Sequence, residues 1–335
     1  MTLQQTKIEW TDFTVNFWEG CQKVGPGCDN CYALARDIRF TGGTHWGPGA
    51  PRRKIKGGVA KLRKIQRKAV AFRETHGHWP RVFCSSLSDV FDNAVAPAWR
   101  AEAFAEMEAA TDCRIQLLTK RIGNVEKMIP DLWKTGGWPA HIGLMITVVT
   151  QEEANRDIMK LLALKARLDI PWVGLSVEPM LGPVDLTRVD TSVWWLEGGD
   201  SILSNALKGW RDTQSARGVS REKTPTLDWV IVGGESGRNA RPMHPDWPRD
   251  LRDQCVAAGV AFFFKQWGEW TPRAGTTWSE WVLPDGSRHS GSFDTRQHLM
   301  SVLGEDSVGV EAVGKKRAGN LLDGKLWQQF PEAAA

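Results

Sequence analysis

Seven short apolar runs separated by segments of helical periodicity constrain this 335-residue chain more than any other feature. They are FTVNFW (13–18), RVFCSS (81–86), RIQLLTKR (114–121), GLMITVVT (143–150), PWVGLSVEP (171–179), DWVIVGGE (228–235) and VAFFFKQW (260–267). Each is nearly continuous rather than alternating, which is the pattern of strands covered on both faces in a parallel sheet. Helical spacing of apolar residues over 59–74, 97–110, around Val125, 151–166 and 246–258 fills most of the gaps. Strand–helix repetition with right-handed crossovers predicts the α/β class. The reading adopted is a partial TIM-like (β/α)6 barrel of parallel strands over 1–267, with 268–335 as a C-terminal extension. An open doubly wound sheet is the other solution of the same repeat.

Polar residues gather where these strands end. They are Ser85, Ser86 and Asp89; Thr119, Lys120 and Arg121; Thr147 and Thr150; Ser176 and Glu178; and Gly233, Gly234, Glu235 and Ser236. In a barrel such ends share one mouth, where active sites are built. Two regions interrupt the repeat. Residues 187–227, with Trp194, Trp195 and Trp210, read as a lid or mobile loop. The tail contains WVLPDGSRHSG (281–291), a hairpin pattern.

Directly after the first run stands GCQKVGPGCDNCYALA (20–35), with Cys21, Cys28 and Cys31 in a C-x6-C-x2-C spacing. The N-terminus MTLQQTKIEWTD lacks an apolar signal core, and no run approaches the ~18 apolar residues of a membrane span. The expected location is therefore the cytoplasm of the host cell, where thiols stay reduced and a disulfide fits worst. Two metal chemistries remain, besides thiols that bind none. Zinc needs a fourth ligand, for which His45 is nearest. A [4Fe-4S] cluster on three cysteines keeps one iron open, the arrangement in which S-adenosylmethionine (SAM) is chelated and cleaved to a 5′-deoxyadenosyl radical. The usual spacing for that chemistry is C-x3-C-x2-C, and here the first gap is longer. Cys84, Cys113 and Cys255 stand alone in apolar contexts, as small core residues do.

The strand ends supply candidate roles. Ser85, Ser86, Asp89, Ser176, Glu178, Gly233, Gly234, Glu235 and Ser236 are candidates for binding the cofactor, and Lys120, Arg121, Glu178 and Lys265 for catalysis. Plainer readings stand beside them: a helix cap at Asp89, a strand terminator at Glu178, surface pairing at Lys120 and Arg121, and a tight turn at Gly233-Gly234. From Ile38 to Arg73 there is no acidic residue. Arg52, Arg53, Lys54, Lys56, Lys61, Lys64, Arg67 and Lys68 in this window suit a nucleic-acid backbone, or form a solvated basic face. There is no P-loop, no dinucleotide fingerprint and no Ser-His-Asp pattern. Most of the eighteen tryptophans lie in apolar runs and are expected in the core.

The words KIEWTD (7–12), GCQKVGPGCDNCYA (20–33), SDVFD (88–92), LLTKR (117–121), VGLSVEPMLGPVDL (173–186), DWVIVGGESGRNARPMHPDW (228–247), FFFKQWGEW (262–270) and GKKRAGNLLDGKLWQQFP (314–331) resemble the phage gene-product thirty-seven/sixty-eight family. These are uncharacterised phage- and prophage-associated proteins with a three-cysteine motif. The resemblance implies a fold of the radical SAM type, with some likeness to the spore photoproduct lyase group that repairs DNA. It also implies a cluster on Cys21, Cys28 and Cys31, SAM as cofactor (zinc as the alternative) and an electron donor. A nucleic acid or nucleotide substrate is expected, with a phage or host partner protein possible and no membrane. A non-catalytic, zinc-stabilised nucleic-acid-binding protein is the competing reading.

Overall fold

A computed structural model describes residues 4–191, 201–215, 218–273, 278 and 280–332. The chain opens with β1 (Phe13–Thr14) and β2 (Trp18–Glu19), then α1 (Tyr32–Thr41), β3 (Arg53–Lys54), α2 (Gly58–Arg67) and α3 (Ala69–His76). Next come β4 (Arg81–Cys84), α4 (Pro97–Glu108), β5 (Arg114–Thr119), two short helices α5 (Val125–Met128) and α6 (Asp131–Thr135), and β6 (Ile142–Thr147). They are followed by α7 (Gln151–Leu168), β7 (Val173–Val177) and the strands β8 (Val189–Asp190), β9 (Ser201–Asn205), β10 (Trp210–Ser215) and β11 (Gly218–Lys223). The repeat closes with β12 (Trp229–Gly233), α8 (Asp246–Ala258) and β13 (Ala261–Gln266).

Seven strands form one sheet in the order β1-β4-β5-β6-β7-β12-β13. Every neighbouring pair is parallel. Spatial order follows chain order, so the sheet curves as a partial barrel, with one strand beyond the six of a (β/α)6 unit. Burial explains the apolar runs: every residue of β6, β7 and β12 is shielded from water. The helices lie on the convex face. The longest, α7, starts at Thr150, whose hydroxyl accepts from the Glu153 amide at 3.3 Å. It stops at Asp169, whose φ of 53° is left-handed.

On the concave face a second core forms from Trp10, Phe83, Met145, Trp172, Trp229, Ile231 and Phe263, with Ile8 and Phe330 packed against it. Side chains alternate faces along a strand, so residues two positions on share that face. Phe83 is thus followed by Ser85, Met145 by Thr147, and Phe263 by Lys265. The inner surface is aromatic towards the strand starts and polar at the strand ends.

Within 187–227, expected as a lid or loop, the described residues contain a four-stranded antiparallel sheet ordered β11-β10-β9-β8. Trp210 opens β10, while Trp194 and Trp195 lie outside the described residues. In the C-terminal region Glu280–Val282 pairs with Arg288–Ser290 as the expected hairpin. The tail then returns along β13, where Phe264 donates to the Trp327 carbonyl (2.9 Å) and Gln329 to that of Phe262 (3.1 Å). Trp229 binds this tail through its indole N–H to the Gln329 carbonyl (2.9 Å) and touches Trp10, Trp172, Phe263 and Phe330. Trp229→Ala is expected to lower unfolding stability by roughly 3–5 kcal/mol, read by urea denaturation.

Candidate active site

At the C-terminal ends of the parallel strands lies a cavity of about 460 Å³. Cys21, Cys28 and Cys31 line it, together with Ser85, Ser86, Asp89, Lys120, Arg121, Ser176, Glu178, Gly234, Glu235, Ser236 and Lys265. Gly233 stands just behind, packed on the Glu178 carboxylate. Trp10, Phe83 and Leu118 belong to the same wall and continue the aromatic concave core.

The three cysteines are free thiols. Cys21 follows β2, Cys28 ends a single 3-10 turn (Pro26–Cys28), and Cys31 is the N-cap of α1. Burial pushes the Cys21 thiol up to about 11, opposed by the Arg121 guanidinium, whose Nη1 lies 3.5 Å from Sγ. The three sulfurs do not all lie within 4.8 Å of one another. A tetrahedral zinc site would hold them about 3.8 Å apart, given Zn–S bonds of about 2.3 Å. His45, the fourth ligand considered for zinc, is engaged elsewhere: its Nδ1 sits 2.9 Å from Asp37 Oδ1, beside Glu19.

One arginine fastens the cysteine loop to the opposite side of the mouth. Arg241 binds Glu235 through Nε (2.8 Å), Nη2 (2.7 Å) and its backbone amide (2.8 Å). It also reaches Asp29 through Nη1 (2.9 Å) and the Pro26 carbonyl through Nη2 (3.0 Å). Asn30 adds a bond to Glu235 (3.0 Å) and one to the Asn239 carbonyl (2.8 Å). Burial raises the Glu235 carboxyl, but bonds from Arg241 and Asn30 outweigh it and leave it below the usual carboxylate range. Glu235 therefore holds the loop, and its carboxylate is not open to a ligand amine or ribose. Asn30 carried no signal beyond its place between two cysteines.

Two further expectations change in the same way. Asp89 accepts from Thr119 Oγ1 (2.8 Å), the Phe91 and Lys120 amides (2.9 and 3.1 Å) and Arg121 Nη1 (2.9 Å). With these partners it anchors the end of β5 rather than presenting a free carboxylate. Arg121 is held by Asp89, Cys21 and the Gln22 carbonyl (3.0 Å), so it serves the cysteine loop instead of a substrate phosphate. Glu178 and Lys265 face each other at 2.7 Å, with Ser176 Oγ 3.3 Å from the same carboxylate. Among the described residues, no carboxylate pairs with the Lys120 ammonium.

Five buried polar atoms of the cavity-lining residues have no protein partner: Trp10 Nε1, Ser85 Oγ, Ser88 Oγ, Thr147 Oγ1 and Gln266 Oε1. A buried polar atom left unbonded costs roughly 1–3 kcal/mol, so a wall that keeps five of them is built to meet a polar guest or water.

The basic window divides. Arg52 is structural: its side chain is 1% exposed, binding Asp92 (2.7 Å) and the Ala50 carbonyl (2.9 Å), so it is unavailable to a nucleic acid. Arg53 pairs with Glu19 and Lys54 with Glu102. Lys56, Arg67 and Lys68 are exposed, while Lys61 and Lys64 lie on α2 beside the mouth.

A family model described as "Protein of unknown function (DUF5131)" matches residues 5–331. The chain belongs to this family. No curated protein matches it. Among solved structures, a spore photoproduct lyase carrying a Cys-to-Ser substitution is similar over 77% of this chain and 76% of its own. The identity is 12% and the TM-score 0.35, a likeness on which nothing further is built.

Arg241→Ala leaves the Glu235 carboxylate buried and unpaired, so stability is expected to fall by roughly 3 kcal/mol, the low end for a buried pair because Arg241 is partly exposed. Adding Glu235→Gln removes the stranded charge and should recover part of that loss in urea denaturation.

Proposed function

We propose that this chain is a radical SAM-type iron–sulfur enzyme acting on a nucleic acid or a nucleobase-derived substrate, with Cys21, Cys28 and Cys31 holding a [4Fe-4S] cluster. The observation that carries the reading is convergence. Three free thiols share one strand-end cavity with five buried polar atoms that lack partners. The donor set fits the group: three free thiols on one loop, with no disulfide among them, line the cavity together. When bound, cluster and SAM would supply a carbon-centred radical after one-electron reduction by an external donor.

The protein's own residues have separate tasks in this reading. Arg121 donates towards the Cys21 sulfur and fixes the loop through Gln22, which stabilises negative charge at the cluster. Arg241, Glu235 and Asn30 keep the Cys28–Cys31 turn against the β12 loop. Ser85, Thr147 and Gln266 offer hydrogen bonds to the polar part of a guest. Trp10, Phe83 and Leu118 close the floor against water. Lys265 pairs with Glu178 beside Ser176, an arrangement able to orient an amine or a hydroxyl.

Protein purified without oxygen is expected to be brown, to carry iron and sulfide, and to bind SAM by calorimetry. Cys28→Ala should lose the visible absorbance and most of the iron. Colourless wild-type protein with one zinc per chain would defeat the proposal. Arg121→Gln should keep its iron yet shift the cluster's midpoint potential downward, because a cation and a sulfur hydrogen bond disappear; a redox titration followed by electron paramagnetic resonance reads this.

A further inference from the structure

Beside the mouth runs a second, open groove of about 670 Å³. Its walls include Lys7, Lys61, Lys64, Gln4 and Gln5, and no carboxylate. Thr6 and Lys7 line this groove and the active-site cavity alike, so the two spaces meet at that point. Lys61 and Lys64 are three residues apart on α2 and therefore project from one face, with Cβ atoms roughly 5–6 Å apart.

Carboxylate pairing separates the groove lysines from three of their neighbouring cations. Outside the groove Arg63 is neutralised by Glu106, Lys54 by Glu102 and Arg53 by Glu19, while Lys56 and Arg67 are exposed without a carboxylate partner among the described residues. Among the described residues, no carboxylate pairs with Lys7, Lys61 or Lys64, nor with Lys120 inside the cavity. A row of unneutralised ammonium groups thus leads along α2, over Lys7 and into the mouth. Such a row attracts a chain of regularly spaced anions, and releasing their counterions would drive binding.

We propose that this groove carries the backbone of one nucleic-acid strand, with phosphates at Lys64, Lys61 and Lys7 and one base turned into the cavity past Thr6. This rests on the nucleic-acid part of the function proposed above. A single strand or an extruded nucleotide is favoured over an intact duplex, because a cavity of about 460 Å³ floored by Trp10 and Phe83 accepts one base rather than a stacked pair. The glutamine amides of Gln4 and Gln5 add neutral donors for phosphate oxygens.

The test is fluorescence anisotropy of a labelled single-stranded oligo-dT against the purified full-length chain at several salt concentrations. Lys61→Ala/Lys64→Ala should weaken binding roughly tenfold or more and make the log–log salt slope shallower by about 1.4, that is about 0.7 per lost phosphate contact. Lys7→Ala should change the slope by about half as much. Arg63→Ala, outside the groove, should bind as wild type. Unchanged affinity and slope in the double variant would overturn the proposal, and so would a matched duplex that outcompetes the strand. Iron content, SAM binding and circular dichroism of the double variant should equal those of wild type. A wild-type chain that binds the strand without iron would sink the cofactor reading and leave the groove standing. An iron-loaded, SAM-binding chain whose oligonucleotide affinity ignores Lys61 and Lys64 would do the reverse.

Discussion

A parallel sheet must be shielded from water on both faces, and here the two faces are shielded by different means. Helices cover the convex side, as crossover connections require. The concave side is closed by tryptophans and phenylalanines, with Ile8 and Trp10 entering from the N-terminal segment and Phe330 from the tail. This filling stops before the strand ends, where the same face turns to Ser85, Thr147, Ser176 and Lys265. The cavity is a consequence of that division: aromatic volume seals its floor, and polar strand ends form its wall. The N-terminal segment and the tail therefore both pack the concave core beneath a cavity whose cysteines lie between them in the chain.

Charge in the mouth follows a similar logic. Asp89 is matched by Arg121, Glu178 by Lys265 and Glu235 by Arg241. In each pair the carboxylate is well buried, and removing either partner would strand a charge in a poorly solvated place. Pairing of this kind orients loops more than it adds stability. Lys120 and Lys7 are left over, without a carboxylate among the described residues. The net field in the cavity is therefore positive, which suits thiolates, a carboxylate-bearing cofactor or phosphates.

How much of this could be read in the residues depends on the range of the interaction. Strands β4 to β7, β12 and β13 were legible because burial on both faces writes itself locally, as in GLMIT or AFFFK. Convergence of the strand ends was legible too, since parallel topology fixes it once the repeat is recognised. What individual carboxylates do there was not. Asp89 and Glu235 look like ligand contacts in one dimension, yet Arg121 and Arg241 occupy them, and the Asn30–Glu235 bond spans 205 residues. The sheet over 189–223 was missed because its strands are polar and two-sided, and turn-rich polarity reads as loop. Arg52 failed for the opposite reason: a basic run gives no hint that one member turns inward to Asp92.

The long first gap of the cysteine motif has a physical basis in this arrangement. Between Cys21 and Cys28 the chain passes directly over the loop that joins β6 to α7. A Cβ on Gly25 would stand 2.5 Å from the Glu153 carboxylate, and one on Gly27 would stand 2.8 Å from Val149. Glycine is thus required at both points by close approach. Glu153 is not free to withdraw, because it accepts the Val149 amide (3.0 Å) and its own amide is bonded by the Thr150 cap of α7. The longer gap lets the segment rest on β6–α7 while Arg241 holds its far end at Pro26 and Asp29. The loop that carries the three thiols is therefore braced against two separate parts of the barrel rim.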